Sequence, residues 1–182
     1  MRRRGRKYRL HVALTPRGMS SVAAAFALCG YLVTPPGTPD RARIIWNASA
    51  SAPLGLYAVR HDRAFVRGDL VLAIPSSRIA KFAAQRSYLP TGVPLVKRIA
   101  AMEGDTVCAQ GNTISIDGQF VAARFSTDSK RRPLPGWFGC RTLDQDEVFL
   151  LMEGVRGSFD GRYFGPTNVS QIVGHLDPIW TR

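Results

Sequence analysis

The chain has 182 residues and a formal net charge of +12, with 45% hydrophobic and 21% charged residues. That length holds one core-forming domain and a tail, and that composition excludes a disordered chain. The charge suggests a nucleic-acid partner, but its distribution argues for none: Arg2, Arg3, Arg4, Arg6, Lys7, Arg9 and Arg17 all precede the first acidic residue, Asp40, and the remainder is only modestly basic.

Residues 1–17 read as a basic tail. Residues 18–39 carry no charge, and 22–33 are an apolar run. A basic stretch followed by such a run has the shape of a secretory signal or signal-anchor. The weakly polar Ser20, Ser21 and Thr34 extend it to the length of about 20 residues that a transmembrane helix needs. The basic flank places the amino terminus in the cytoplasm and the remainder across the membrane. A short buried helix is the alternative. Pro35 and Pro36 follow the run where a cleavage site wants small alternating residues, so the anchor is expected to be retained.

From residue 40 onward the pattern is that of a mainly β domain. Residues 42–46, 56–60, 70–74, 93–102, 107–109, 113–116, 119–122, 148–152 and 172–176 read as strands. Gly111-Asn112 and Asp117-Gly118 are hairpin turns. One helix is expected over 77–86, capped by Ser76 or Ser77, with Ile79, Phe82 and Ala83 on one face. Residues 124–141 contain Pro133 and Pro135 and read as a long loop, and 158–166 as a glycine-rich turn region. Cys29 lies in the apolar run. Cys108 and Cys140 remain, and an even pair in an exported domain suggests a disulfide closing about 33 residues; two free buried thiols are the alternative. With three histidines and no Cys-x-x-Cys, no metal or other cofactor is expected.

The chemistry centres on residues 47–57, Asn-Ala-Ser-Ala-Ser-Ala-Pro-Leu-Gly-Leu-Tyr. Small side chains with a proline and a glycine suit an exposed turn against which an extended peptide can lie. Ser49 and Ser51 share a face if the segment is extended. A serine nucleophile needs a base. His61 sits in a charged turn and His175 in a late strand, neither with an evident acidic partner, and no Gly-x-Ser-x-Gly elbow occurs. Among Lys7, Lys81, Lys97 and Lys130, Lys97 differs. In a strand it shares its face with Leu95 and Ile99 while Arg98 faces away. A lysine with pKa about 10.4 is neutral in roughly 1 molecule in 2,500 at pH 7; an apolar pocket that lowers it to about 8 makes roughly a tenth neutral. The same pattern also fits an edge-strand lysine whose head reaches water.

Three stretches carry a resemblance: residues 51–57, residues 95–105 (Leu-Val-Lys-Arg-Ile-Ala-Ala-Met-Glu-Gly-Asp), and residues 158–165 (Ser-Phe-Asp-Gly-Arg-Tyr-Phe-Gly). They resemble the boxes of type I signal peptidases, and are most similar to the conjugal-transfer branch of that family. The chain departs from the housekeeping pattern in Ala52-Pro53 directly after the serine, in Gly154-Val155-Arg156 where Asp-Asn-Arg is usual, and in Asp160-Gly161-Arg162 in place of Asp-Ser-Arg. The resemblance implies a signal peptidase-like β-fold. It implies Ser51 as nucleophile and Lys97 as general base. Ser49 would help hold the oxyanion, Ser158 would orient the lysine amine, and Asp160 with Arg162 would buttress the site. It further implies a bacterial inner-membrane protein with its domain at 40–182 in the periplasm. Its partners would be exported precursors, above all the propilin of a conjugation or type IV secretion apparatus, and other proteins of that apparatus. Processing in that branch can end in a cyclic pilin. A general signal peptidase and a non-enzymatic anchored scaffold are the alternatives.

Overall fold

Two antiparallel sheets make up the computed structural model, which describes residues 43–182. The expected tail at 1–17 and the expected span and linker at 18–39 lie outside the described residues. Among the described residues no helix is long and apolar enough to cross a membrane.

The larger sheet has the order β1-β2-β11-β3-β4-β9-β10. Its strands are β1 (Ile44–Asn47), β2 (Gly55–Arg60), β3 (Leu70–Ala73), β4 (Leu95–Ala101), β9 (Glu147–Leu151), β10 (Thr167–Asn168) and β11 (Ile172–Thr181). The smaller sheet has the order β7-β6-β5-β8, from β5 (Thr106–Gln110), β6 (Thr113–Ile116), β7 (Gln119–Ala123) and β8 (Gly139–Thr142). The hairpin between β6 and β7 turns at Asp117 and Gly118, both with positive φ (51° and 78°), as a primed turn requires. Ala101, Val107, Ile114, Phe149 and Leu151 pack together, joining residues of both sheets. Tyr57, Val59, Leu72, Val96 and Leu176 form a second cluster, and Val71, Ile99, Val148 and Leu150 a third. Removing such side chains from water is the main favourable term in folding.

The expected helix is α1 (Ser77–Gln85), with Ile79 and Ala83 buried and Ser76 at its N-cap position without a side-chain cap. Several elements differ from the sequence expectation, among them the short β10. β8 lies inside the expected loop; its four residues are all exposed, so no hydrophobic alternation marks it, and it is held by pairing with β5. A single helical turn, α2 (Gly161–Phe164), falls in the glycine-rich region because Asp160 accepts a hydrogen bond from the Arg162 amide at its start. β11 runs on past Leu176 through Pro178. Residues 172–175 pair with β3 and residues 175–181 with β2, so the proline falls where the strand has a neighbour on one side only.

Candidate active site

β1 and β2 are joined by the connection 48–54, and the two strand ends, Asn47 and Gly55, pair directly. Gly55 is required there, because a Cβ would collide with the Trp180 carbonyl of β11. The small residues of the connection bury little, so polar contacts shape it. The Asn47 amide is buried beneath the loop and donates to the carbonyls of Ser49, Ala52 and Pro53 at 3.0, 3.1 and 3.0 Å. The Tyr57 hydroxyl also donates to the Pro53 carbonyl. The loop thereby presents both hydroxyls: Ser49 Oγ is 2.8 Å from Ser51 Oγ, and the Ser51 amide donates to Ser49 Oγ at 3.3 Å.

Lys97 lies in β4, which has β3 on one side and β9 on the other, so the edge-strand reading does not hold. As expected, Leu95 and Ile99 are buried and Arg98 is exposed; Val96 on the opposite face is buried too. Lys97 is 3% exposed, and its Nζ lies 3.2 Å from Ser51 Oγ. Burial pushes the amine down from its ordinary value to about 8; the Asp160 carboxylate opposes that shift and the Arg162 guanidinium adds to it. A neutral amine at this distance is placed to accept the serine proton.

Asp160 and Arg162 form a buried ion pair, 0% and 2% exposed, with Arg162 Nε 2.7 Å from Asp160 Oδ1. Arg162 also donates to the carbonyls of Met152 and Ala123, and Asp160 accepts from the Met152 amide. A buried pair holds only when its remaining donors and acceptors are met in this way. Gly161 between them has no room for a side chain: a Cβ would lie 2.7 Å from the Leu150 carbonyl and 2.9 Å from the Phe149 ring. Close packing on β9 thus accounts for Asp-Gly-Arg in this chain. Ser158 is buried and lines the same cleft as Lys97, but its Oγ makes no hydrogen bond among the described residues. The expected bond from Ser158 to the lysine amine is therefore not formed.

Ser49, Ser51, Lys97 and Ser158 line a cleft of about 720 Å³. Sequence reasoning missed its far wall, where Tyr88, Phe125, Asp128, Leu134 and Phe159 meet. Phe159 stacks on Phe82 of α1 and on Tyr163 of α2. Asp128 ties the long loop to the segment after α1: it accepts from the Tyr88 hydroxyl at 2.6 Å and from Arg132 Nε at 2.7 Å. Burial alone would raise the Asp128 carboxyl, but hydrogen bonds from Tyr88, Arg132 and Lys130 together hold it well below the usual carboxylate range. No sequence spacing relates Tyr88, after α1, to Asp128 in the long loop, 40 positions away.

His175 bonds Asp69 through Nε2 at 2.9 Å and His61 is exposed; neither lines the cleft. Cys108 and Cys140 are joined by a disulfide between β5 and β8. Among the described residues no group of side chains could hold a metal ion.

The model of the family described as signal peptidase, peptidase S26, matches residues 15–181. The plasmid transfer protein TraF of Escherichia coli is 29% identical over 177 residues, covering 91% of this chain and 98% of its own. The probable conjugal transfer protein TraF of Sinorhizobium fredii (strain NBRC 101917 / NGR234) is 32% identical over 191 residues, covering 99% and 93%. Among solved structures, a signal peptidase I from Enterococcus faecalis V583 matches 63% of this chain and 98% of its own, with 21% identity and a TM-score of 0.38.

Proposed function

The chain belongs to the signal peptidase, peptidase S26, family, and from that premise we propose that it is a membrane-anchored serine endopeptidase using Ser51 and Lys97 as a catalytic dyad. One observation carries this reading: Ser51 Oγ lies 3.2 Å from the Nζ of a buried lysine whose charge is disfavoured there. The retained anchor at 18–39, and a domain at 40–182 on the periplasmic side of a bacterial inner membrane, are part of the same proposal; the charge asymmetry of the first forty residues supports them.

Neutral Lys97 takes the Ser51 proton as Ser51 Oγ attacks the scissile carbonyl. Negative charge develops on the carbonyl oxygen and is met by the Ser51 amide and the Ser49 hydroxyl, which turns from Ser51 toward it. The lysine ammonium gives its proton to the departing amine, leaving an ester on Ser51. Lys97 then activates a water that hydrolyses the ester, or the amino terminus of the substrate attacks it and closes a ring. Asp160 and Arg162 fix the chain at Met152 and Ala123, and Ser158 lines the same cleft as the amine.

The relatives named for plasmid and conjugal transfer support a narrower substrate: the propilin of a conjugation or type IV secretion apparatus. The test is maturation of that precursor in membranes carrying Ser51→Ala or Lys97→Ala. Neither variant matures it if the dyad is correct, and normal processing by either one refutes it.

A further inference from the structure

We propose that Asn47 is the positioning residue of the nucleophile loop. One side-chain amide sets where Ser51 Oγ stands relative to Lys97. The inference rests on the dyad reading above and concerns a residue that the resemblance assigns no role.

The loop 48–54 has few other anchors: Ala52 packs into the core, the Tyr57 hydroxyl donates to the Pro53 carbonyl and the Arg182 amide to the Leu54 carbonyl. Ser49 and Ala50 are exposed and the connection contains no regular element. A loop of small residues ordinarily populates many conformations, because its side chains bury little area that would select one. Those anchors hold the second half of the loop, and Asn47 alone reaches both halves. It is 4% exposed and sits at the end of β1, fixed in register against Gly55 of β2. Its Nδ2 donates to the carbonyls of Ser49, Ala52 and Pro53, and its Oδ1 accepts from the Ser49 amide at 3.0 Å. An amide nitrogen has two hydrogens, so three acceptors converging on it share them. The carbonyls of residues 49, 52 and 53 therefore turn inward, toward one buried atom. What remains outward is the Ser51 side chain with the Ser49 hydroxyl beside it.

The other end of the dyad needs no such device. Lys97 pairs with Val71 of β3, and from Arg98 onward β9 flanks the other side of β4. The Ser51–Lys97 distance is thus set by a rigid strand at one end and by Asn47 at the other. A shift of about 1 Å between reacting groups can cost on the order of 10²-fold in rate. Asn47 does not line the cleft, so its loss acts on the reacting geometry and not on substrate contacts.

The test uses the full chain in detergent and needs no natural substrate. Ser51→Cys places a thiol beside the lysine, and a neighbouring ammonium lowers a thiol pKa below its ordinary value of about 8.5. Iodoacetamide alkylation is followed against pH and mapped to residue 51 by peptide mass spectrometry. With Asn47 intact, the midpoint is expected about one unit below the ordinary value. With Asn47→Ala or Asn47→Asp added, it returns to about 8.5. Asn47→Asp keeps the acceptor for the Ser49 amide and removes the donors, so it isolates the three carbonyl contacts and stands in if Asn47→Ala fails to fold. Melting temperatures are recorded beside each profile, since a merely structural role lowers them without moving the midpoint. In the Ser51 parent, kcat on the propilin falls about 100-fold in the Asn47 variants with KM little changed. An alkylation profile unchanged by both Asn47 variants overturns the inference. A lowered midpoint in Ser51→Cys that the Asn47 variants abolish, together with a Ser51 parent that cleaves no propilin, refutes the substrate reading and leaves the role of Asn47 standing.

Discussion

Lys97 Nζ stands 3.2 Å from Ser51 Oγ although the two residues are 46 positions apart in the chain. One comes from a loop folded over the Asn47 amide and the other from a strand in the interior of a sheet. The amine reaches the serine without any histidine, and burial disfavours its charge; in the proposed dyad that burial stands in for the acid of a triad.

The pH dependence follows from that burial. Catalysis requires the neutral amine, so the rate is expected to rise with pH and to be half-maximal near the value of about 8 to which burial lowers Lys97. Stability moves the same way. The unfolded chain keeps the ordinary value of 10.5, so between about 8 and 10.5 it binds more protons than the folded protein, and the folded state gains as pH rises through that window. Lys97→Met abolishes cleavage and, by removing a buried charge, is expected to stabilise the fold by about 1–3 kcal/mol at neutral pH. Thermal melts and a pH–rate profile check both.

The two hydroxyls of the loop separate by degree. Ser49→Ala removes one donor to the oxyanion and is expected to lower kcat by about 10²–10³-fold. Ser51→Ala leaves no nucleophile and no measurable turnover. Single-turnover kinetics on the propilin distinguish a slow enzyme from a dead one.

Breaking the buried pair is costly in a different way. Arg162→Met leaves Asp160 buried without its guanidinium, and loss of one partner of a buried pair typically costs about 3–5 kcal/mol. Urea unfolding is expected to show a much lower midpoint. Replacing both cysteines removes the constraint across β5 and β8 and is expected to cost about 3–4 kcal/mol in the loop-entropy model.

The far wall of the cleft gives a third kind of outcome. Tyr88→Phe and Asp128→Asn release the long loop from the segment after α1. Neither residue touches Ser51 or Lys97, so KM is expected to rise while kcat stays near that of the parent. Steady-state kinetics on the precursor read the split directly.

The pairing of Ser51 with Lys97 was legible because it depends on local pattern. Leu95 and Ile99 two residues either side mark Lys97 as inward-facing, and small residues around Ser51 mark an open turn. The ion pair and the disulfide partners were legible by resemblance and by cysteine count. What was hidden acts through distant contacts. β8 is exposed throughout and exists only through pairing. Tyr88 meets Asp128 across 40 residues. Asn47 looks like an ordinary polar residue at a strand end, and its role appears only when the loop closes over it. Ser158 is expected by resemblance to orient the lysine amine, and its hydroxyl lines the same cleft without a hydrogen bond to it.

The central claim is that Ser51 becomes covalently acylated with Lys97 as its base. Purified full chain is mixed with propilin, quenched in acid at short times, and digested for mass spectrometry. The account predicts a transient acyl adduct on the peptide containing Ser51, present in the parent and lost in both Ser51→Ala and Lys97→Ala. An adduct on another residue, or propilin cleavage by the Ser51→Ala protein, would contradict it.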